Sequence, residues 1–152
     1  MADKTSSTMT IGVPRPTVMA VIADFAAYPQ WASGVRAAEV LAGGPGGRAD
    51  RVRFTLDAGV IRDSYVLAYT WHDDEEVHWE LAERGTAVTE MSGAYLLTET
   101  GAGTEVTYQL AVGLAMPMPG LLRRRAEKTI IDTALKGLRS RAERAAAEGG
   151  GR

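Results

Sequence analysis

The chain has 152 residues, 45% of them hydrophobic and 24% charged, which is the size and make-up of one soluble domain with its own core. Its formal net charge of −2 supplies no bulk field for nucleic acid or an anionic membrane. It has no cysteine, which excludes disulfides, thiolate nucleophiles and cysteine-ligated zinc, and fits a reducing compartment.

The N-terminus, MADKTSSTMTIGV, has no apolar run of the kind a secretory signal carries. No uninterrupted apolar stretch reaches the roughly 20 residues of a membrane span, so a cytoplasmic location is expected. Residues 1–7 are polar and read as a flexible tail. Residues 8–13 read as a first strand, with Met9, Ile11 and Val13 on one side. Pro14 and Pro16 close it, and Pro16 suits the first position of a helix over 16–26. Val18, Val21, Ile22 and Phe25 then fall at i, i+3, i+4 and i+7, one buried stripe. Tyr28 precedes Pro29 and should leave the helical region, so a break is predicted there, followed by a short helical turn over 29–33.

From there the period changes to two. Segments 35–42, 49–58, 61–72, 75–83, 87–99 and 104–114 alternate, separated by turn signals such as GGPGG at 43–47 and Asp73-Asp74. Short connections predict an antiparallel meander. The segment 119–147 reads as a long helix with Leu122, Ala126, Ile130, Ala134 and Leu138 along its apolar face, and Ile131 and Leu135 beside it. Residues 148–152 read as a second flexible tail. The fold class is α+β, a single domain over 8–147, in which a curved antiparallel sheet covers its apolar face with the C-terminal helix.

Strand alternation selects what points inward. Phe54, Tyr65, Tyr69, Trp71, Trp79, Tyr95 and Tyr108 fall on the inner face, and Arg51, Arg53 and Arg62 on the outer one. A dry core avoids tyrosine, because a buried hydroxyl without a partner costs about 1–3 kcal/mol. Tyrosine and tryptophan suit the wall of an apolar cavity that meets polar ligand atoms. The alternative is that these residues sit at strand ends with their hydroxyls in solvent.

Sharper chemistry is sparse. Asp63 is the one inward acid, and it is a candidate general base only if it is buried with a raised pKa. The segment HDDEEVH at 72–78 has metal-ligating residue types, but 73–76 reads as a solvated hairpin tip and His78 points outward. No metal site is expected, because three ligands are hard to bring together there. There is no Ser-His-Asp or Gly-x-Ser-x-Gly pattern and no phosphate-binding glycine loop. Arg123, Arg124 and Arg125, with Glu127, Asp132 and Glu143 following among further cations, read as a solvated helix face. The alternative is docking to an anionic membrane or an acidic carrier protein. Nucleic-acid binding is not expected.

The element order, the segment DFAAYPQW at 24–31, the inward rows and the ending PMPGLLRRRAEKTIIDTALKGLRSRAE resemble the START-like (SRPBCC) superfamily, and within it the polyketide cyclase/dehydrase and lipid-transport branch. The resemblance spans about residues 8–145. It implies a helix-grip fold: seven curved strands around the C-terminal helix, with two short helices after the first strand. It also implies a cavity between sheet and helix for a lipid, quinone or polyketide-like molecule. The implied ligand contacts are Trp31, Phe54, Tyr65, Tyr69, Trp79, Tyr95, Tyr108, Met118, Leu122 and Ile130, with Tyr28 and Trp31 closing one end. No cofactor is implied, and a monomer or homodimer is expected. Two alternatives stand beside transport or sensing. One is a polyketide aromatase/cyclase or dehydratase, although the cavity arginine such enzymes are thought to use has no inward counterpart here. The other is a protein-interaction module with a filled core, docking through Arg123–Arg125.

Overall fold

The computed structural model describes residues 4–32, 34–57, 62–116 and 119–150. Its strands are β1 Thr5–Ile11, β2 Val35–Gly43, β3 Ala49–Asp57, β4 Arg62–His72, β5 Glu76–Glu83, β6 Val88–Thr100 and β7 Gly103–Leu114. Two short helices, α1 Arg15–Ala23 and α2 Tyr28–Trp31, follow β1, and a long helix, α3 Gly120–Gly150, ends the chain. The strands form one antiparallel sheet in the order β1-β7-β6-β5-β4-β3-β2. Strands β2 to β7 are a meander, and β1 returns to pair with β7 at the far edge. The expected α+β helix-grip architecture is present, with α3 packed against β1, β7, α1 and α2. No helix among the described residues is long and apolar enough to cross a membrane.

Three boundaries differ from expectation, each for a local reason. β1 begins at Thr5, so residues 5–7 belong to the sheet and not to a tail. Its polar alternation is the solvent side of an edge strand, anchored where the Thr5 hydroxyl donates to Glu127 at 2.6 Å. α3 continues through Gly150, beyond the expected end at 147.

The third boundary is the helix break, which falls at Asp24 (φ −88°, ψ 79°) and not at Tyr28. A 3-10 turn over Phe25–Ala27 leads into α2, and Tyr28 is helical (φ −52°, ψ −41°) despite the proline after it. Its hydroxyl donates to the Ile22 carbonyl at 2.6 Å, satisfying an acceptor that the end of α1 leaves open. Its ring stacks on Phe25 at 4.9 Å. These buried contacts offset the steric penalty imposed by Pro29.

The buried face of α3 is also turned by about one residue from the predicted stripe. Ile131, Leu135, Leu138 and Ala142 are fully buried, whereas Leu122 and Ile130 are 49% and 48% exposed. Glu127, expected on the solvated face, is buried. Its carboxylate accepts from the Thr5 hydroxyl and, at 2.8 Å, from the backbone N–H of Val112. β1 pairing ends at Thr5 opposite Leu110, so Glu127 takes a β7 donor just past the end of that pairing. This bond fixes the rotation of α3 on the sheet.

Candidate functional site

Cross-strand pairing builds an aromatic belt on the inner face of the sheet. Phe54 stands opposite Tyr65, Tyr69 opposite Trp79, and Tyr95 opposite Tyr108. Ring centroids are 6.0 Å apart for Phe54–Tyr65, 5.9 Å for Tyr69–Trp79, 5.4 Å for Trp79–Tyr95 and 4.5 Å for Tyr95–Tyr108. Trp79 lies flat over its partner Gly93, where a Cβ would come within 2.5 Å of the indole. Glycine across from a tryptophan is a signal the sequence contains and the inward-row reading did not use.

The belt encloses a cavity of about 460 Å³ between sheet and α3. Trp31 from α2 closes one end, beside Tyr28 at 4.7 Å. From α3, Ala134 faces the interior, while the exposed Thr129, Ile130 and Thr133 mark the rim. Asp57 lies at the mouth, paired with Arg36 at 3.6 Å and Arg62 at 3.4 Å.

Eight of the ten expected ligand contacts line this cavity: Trp31, Phe54, Tyr65, Tyr69, Trp79, Tyr95, Tyr108 and Ile130. Met118 lies outside the described residues, as does the inward position Ile61. Leu122 is not part of the lining, because the rotation of α3 turns it to solvent. Sequence reasoning missed Thr129 and Thr133, which patterning alone does not separate from the surface.

Apart from Asp57 at the mouth, the polar side chains that line the cavity are neutral. Of the five tyrosines, only Tyr28 donates to a protein group among the described residues. Burial, reinforced by neighbouring phenols, pushes Tyr28, Tyr69 and Tyr95 well above the ordinary phenol range. Burial likewise raises Tyr65 and Tyr108, so all remain protonated at neutral pH. The indole N–H of Trp31 is buried without a partner. No His, Lys or Arg lines the cavity among the described residues.

Asp63 has a different task from the one considered for it. Oδ1 accepts from the N–H and hydroxyl of Thr86 at 2.9 and 3.2 Å, and Oδ2 from the N–H groups of Ala87 and Val88 at 3.0 and 2.7 Å. Gly85 lets the loop come this close, since a Cβ there would stand 2.1 Å from Oδ2. Burial raises the carboxyl pKa, but the backbone hydrogen bonds from Val88, Thr86, Ser64 and Ala87 outweigh it and hold the group below its ordinary value. A carboxylate so occupied is a poor base; it anchors the β5–β6 connection. A folded-state pKa below the unfolded one gives stability that is full above the ordinary carboxylate pKa and disappears as pH falls through the folded value. Asp63→Asn is therefore expected to cost about 2 kcal/mol at pH 7. The difference from wild type should shrink in urea melts repeated near pH 3.

His72, Glu76 and His78, not expected to converge, do so on the opposite face of the sheet.

A family model described as "Polyketide cyclase / dehydrase and lipid transport" matches residues 2–145. Among solved structures, a START superfamily protein from Mycobacterium smegmatis is 21% identical, with a TM-score of 0.85 over 94% of this chain and 99% of its own. A protein from Thermus thermophilus is 23% identical, with a TM-score of 0.77 over 93% and 98% of the two chains. The Zhui aromatase/cyclase from Streptomyces sp. R1128 is 18% identical, with a TM-score of 0.72 over 93% of each chain. No curated protein matches the sequence.

Proposed function

Because the chain belongs to the polyketide cyclase/dehydrase and lipid-transport family, we propose that its cavity reversibly binds one small, neutral, largely apolar molecule bearing oxygen acceptors. Lipid-, quinone- or polyketide-like compounds fit that description, and the role is carriage or sensing in the cytoplasm. The observation that supports this reading is the set of four tyrosine hydroxyls without a protein acceptor among the described residues, around a cavity of about 460 Å³. That volume lies within the usual range for small-molecule pockets. Affinity would come from apolar burial, about 25 cal/mol per Å² before ordering costs. The donors would orient carbonyl or ether oxygens. A charged ligand is disfavoured, because burying an ion without a counter-charge costs several kcal/mol.

The same cavity in a cyclase or dehydratase would need a proton acceptor beside the substrate. Asp63 is occupied by backbone donors and Asp57 sits at the mouth between two arginines, so binding without turnover is the stronger reading. A filled-core interaction module is disfavoured by the cavity itself. Exposed Leu121 and Leu122 beside Arg124 and Arg125 would suit transient contact with an anionic membrane or acidic carrier during transfer.

Tryptophan-fluorescence titration with anthraquinone and with anthracene tests the proposal. Ala134→Phe fills the cavity and is expected to weaken both probes at least about tenfold, the loss of about two buried methylenes' worth of contact. Tyr69→Phe removes one donor, so anthraquinone should weaken by roughly threefold to tenfold and anthracene should be unaffected. Unchanged binding in Ala134→Phe would place the ligand elsewhere.

A further inference from the structure

The outer face of the sheet brings together three side chains of metal-ligating type. The β4–β5 hairpin sets His72 opposite Glu76 and Thr70 opposite His78. Alternate residues of a strand share a face, so His72, Glu76 and His78 all project away from the cavity wall formed by Tyr69 and Trp79. Their ligating atoms lie within 4.8 Å of one another. His78 Nε2 and Glu76 Oε1 are 2.7 Å apart, and the two imidazole rings meet edge to face at 5.8 Å. The hairpin tip is held in place from the β2–β3 connection. Arg48 donates to the Asp73 carbonyl and, at 2.5 Å, to the Asp74 carboxylate, while its guanidinium lies 5.3 Å from the Trp71 ring centroid. Arg48 is thereby engaged with Asp73 and Asp74 and not with Glu76.

We propose that His72, Glu76 and His78 bind a divalent transition metal of the zinc class, with water in the fourth position. Two neutral imidazoles and one carboxylate are a donor set that Zn²⁺ accepts in tetrahedral geometry at about 2.0–2.2 Å. Donors at those bond lengths stand about 3.3 Å apart. The close His78–Glu76 pair opens by roughly half an ångström, and the other pairs close by at most about 1.5 Å, to reach this spacing. Side-chain rotation at an exposed hairpin supplies both movements. Mg²⁺ and Ca²⁺ prefer all-oxygen shells, so the two imidazoles discriminate against them. The chain has two histidines and no cysteine, and both histidines are at this site. Any imidazole-bound metal on this protein therefore reports on it.

The test is titration calorimetry of the untagged full chain with Zn²⁺, alongside the histidine ring signals in NMR spectra. One Zn²⁺ per chain with micromolar affinity is expected, with both histidines perturbed together and Mg²⁺ without effect. His72→Ala and His78→Ala should each weaken Zn²⁺ at least about tenfold, and Glu76→Gln should also weaken it. All three side chains are at least partly exposed, so the variants should keep the wild-type melting temperature without metal. Absence of Zn²⁺ binding, affinity unchanged in the two histidine variants, or equal binding of Mg²⁺ would overturn the proposal.

Discussion

Absorbance titration of the folded protein toward alkaline pH is expected to show no tyrosinate at pH 10, where an exposed phenol is half ionised. The chain has five tyrosines, and burial raises the pKa of every one. The folded-state pKa lies above the unfolded value in each case, so the stability linked to these groups is full below about pH 10 and is lost as pH rises beyond it. Each protonated tyrosine that the unfolded chain would have ionised costs about 1.4 kcal/mol per pH unit. Five together cost about 7 kcal/mol per unit, against the total of about 5–15 kcal/mol typical of a domain. Tyrosine ionisation and loss of near-ultraviolet circular dichroism should therefore coincide in one steep transition above pH 10. A tyrosine that ionises near its ordinary pKa while the protein stays folded would show its hydroxyl to be in free water, and the cavity would not be the neutral, apolar space described.

Gly137→Ala should destabilise the protein by about 3 kcal/mol, even though alanine is the better helix former by about 1 kcal/mol. A Cβ at position 137 would stand 2.1 Å from the Trp31 carbonyl oxygen and 3.1 Å from its carbon. Both are backbone atoms, which cannot rotate aside. Either α3 lifts from α2, or Trp31 leaves the end of the cavity. Gly120→Ala, in the first turn of the same helix, meets nothing within 4 Å and should be neutral or slightly stabilising. Urea midpoints of the two variants provide the comparison. Equal shifts would remove the close approach of α3 to Trp31 from the account.

The belt of aromatics was legible because a period of two and short turns leave one consistent choice of inner face. Phe54, Tyr65, Tyr69, Trp79, Tyr95 and Tyr108 all face inward as read. The rotation of α3 was not legible. It depends on Glu127 meeting Thr5, 122 residues away, and a local hydropathy pattern assigns a glutamate to solvent. Leu122 was misplaced for that reason. The helix break moved from Tyr28 to Asp24 because a tertiary hydrogen bond to Ile22 outweighed the local preference that Pro29 imposes. Asp63 was read as the one inward acid, but its partners belong to another connection and only the fold brings them together. The convergence of His72, Glu76 and His78 depended on hairpin register, which the run of acids between the histidines concealed.

The space between the sheet and α3 is proposed to hold a small apolar molecule. Native mass spectrometry of gently purified protein, followed by denaturing extraction, tests it most directly. A discrete adduct is expected that leaves on denaturation, proves uncharged and rich in oxygen acceptors, and is absent from Ala134→Phe. A clean apo mass, together with no uptake across a panel of lipids, quinones and polyketides, would contradict it.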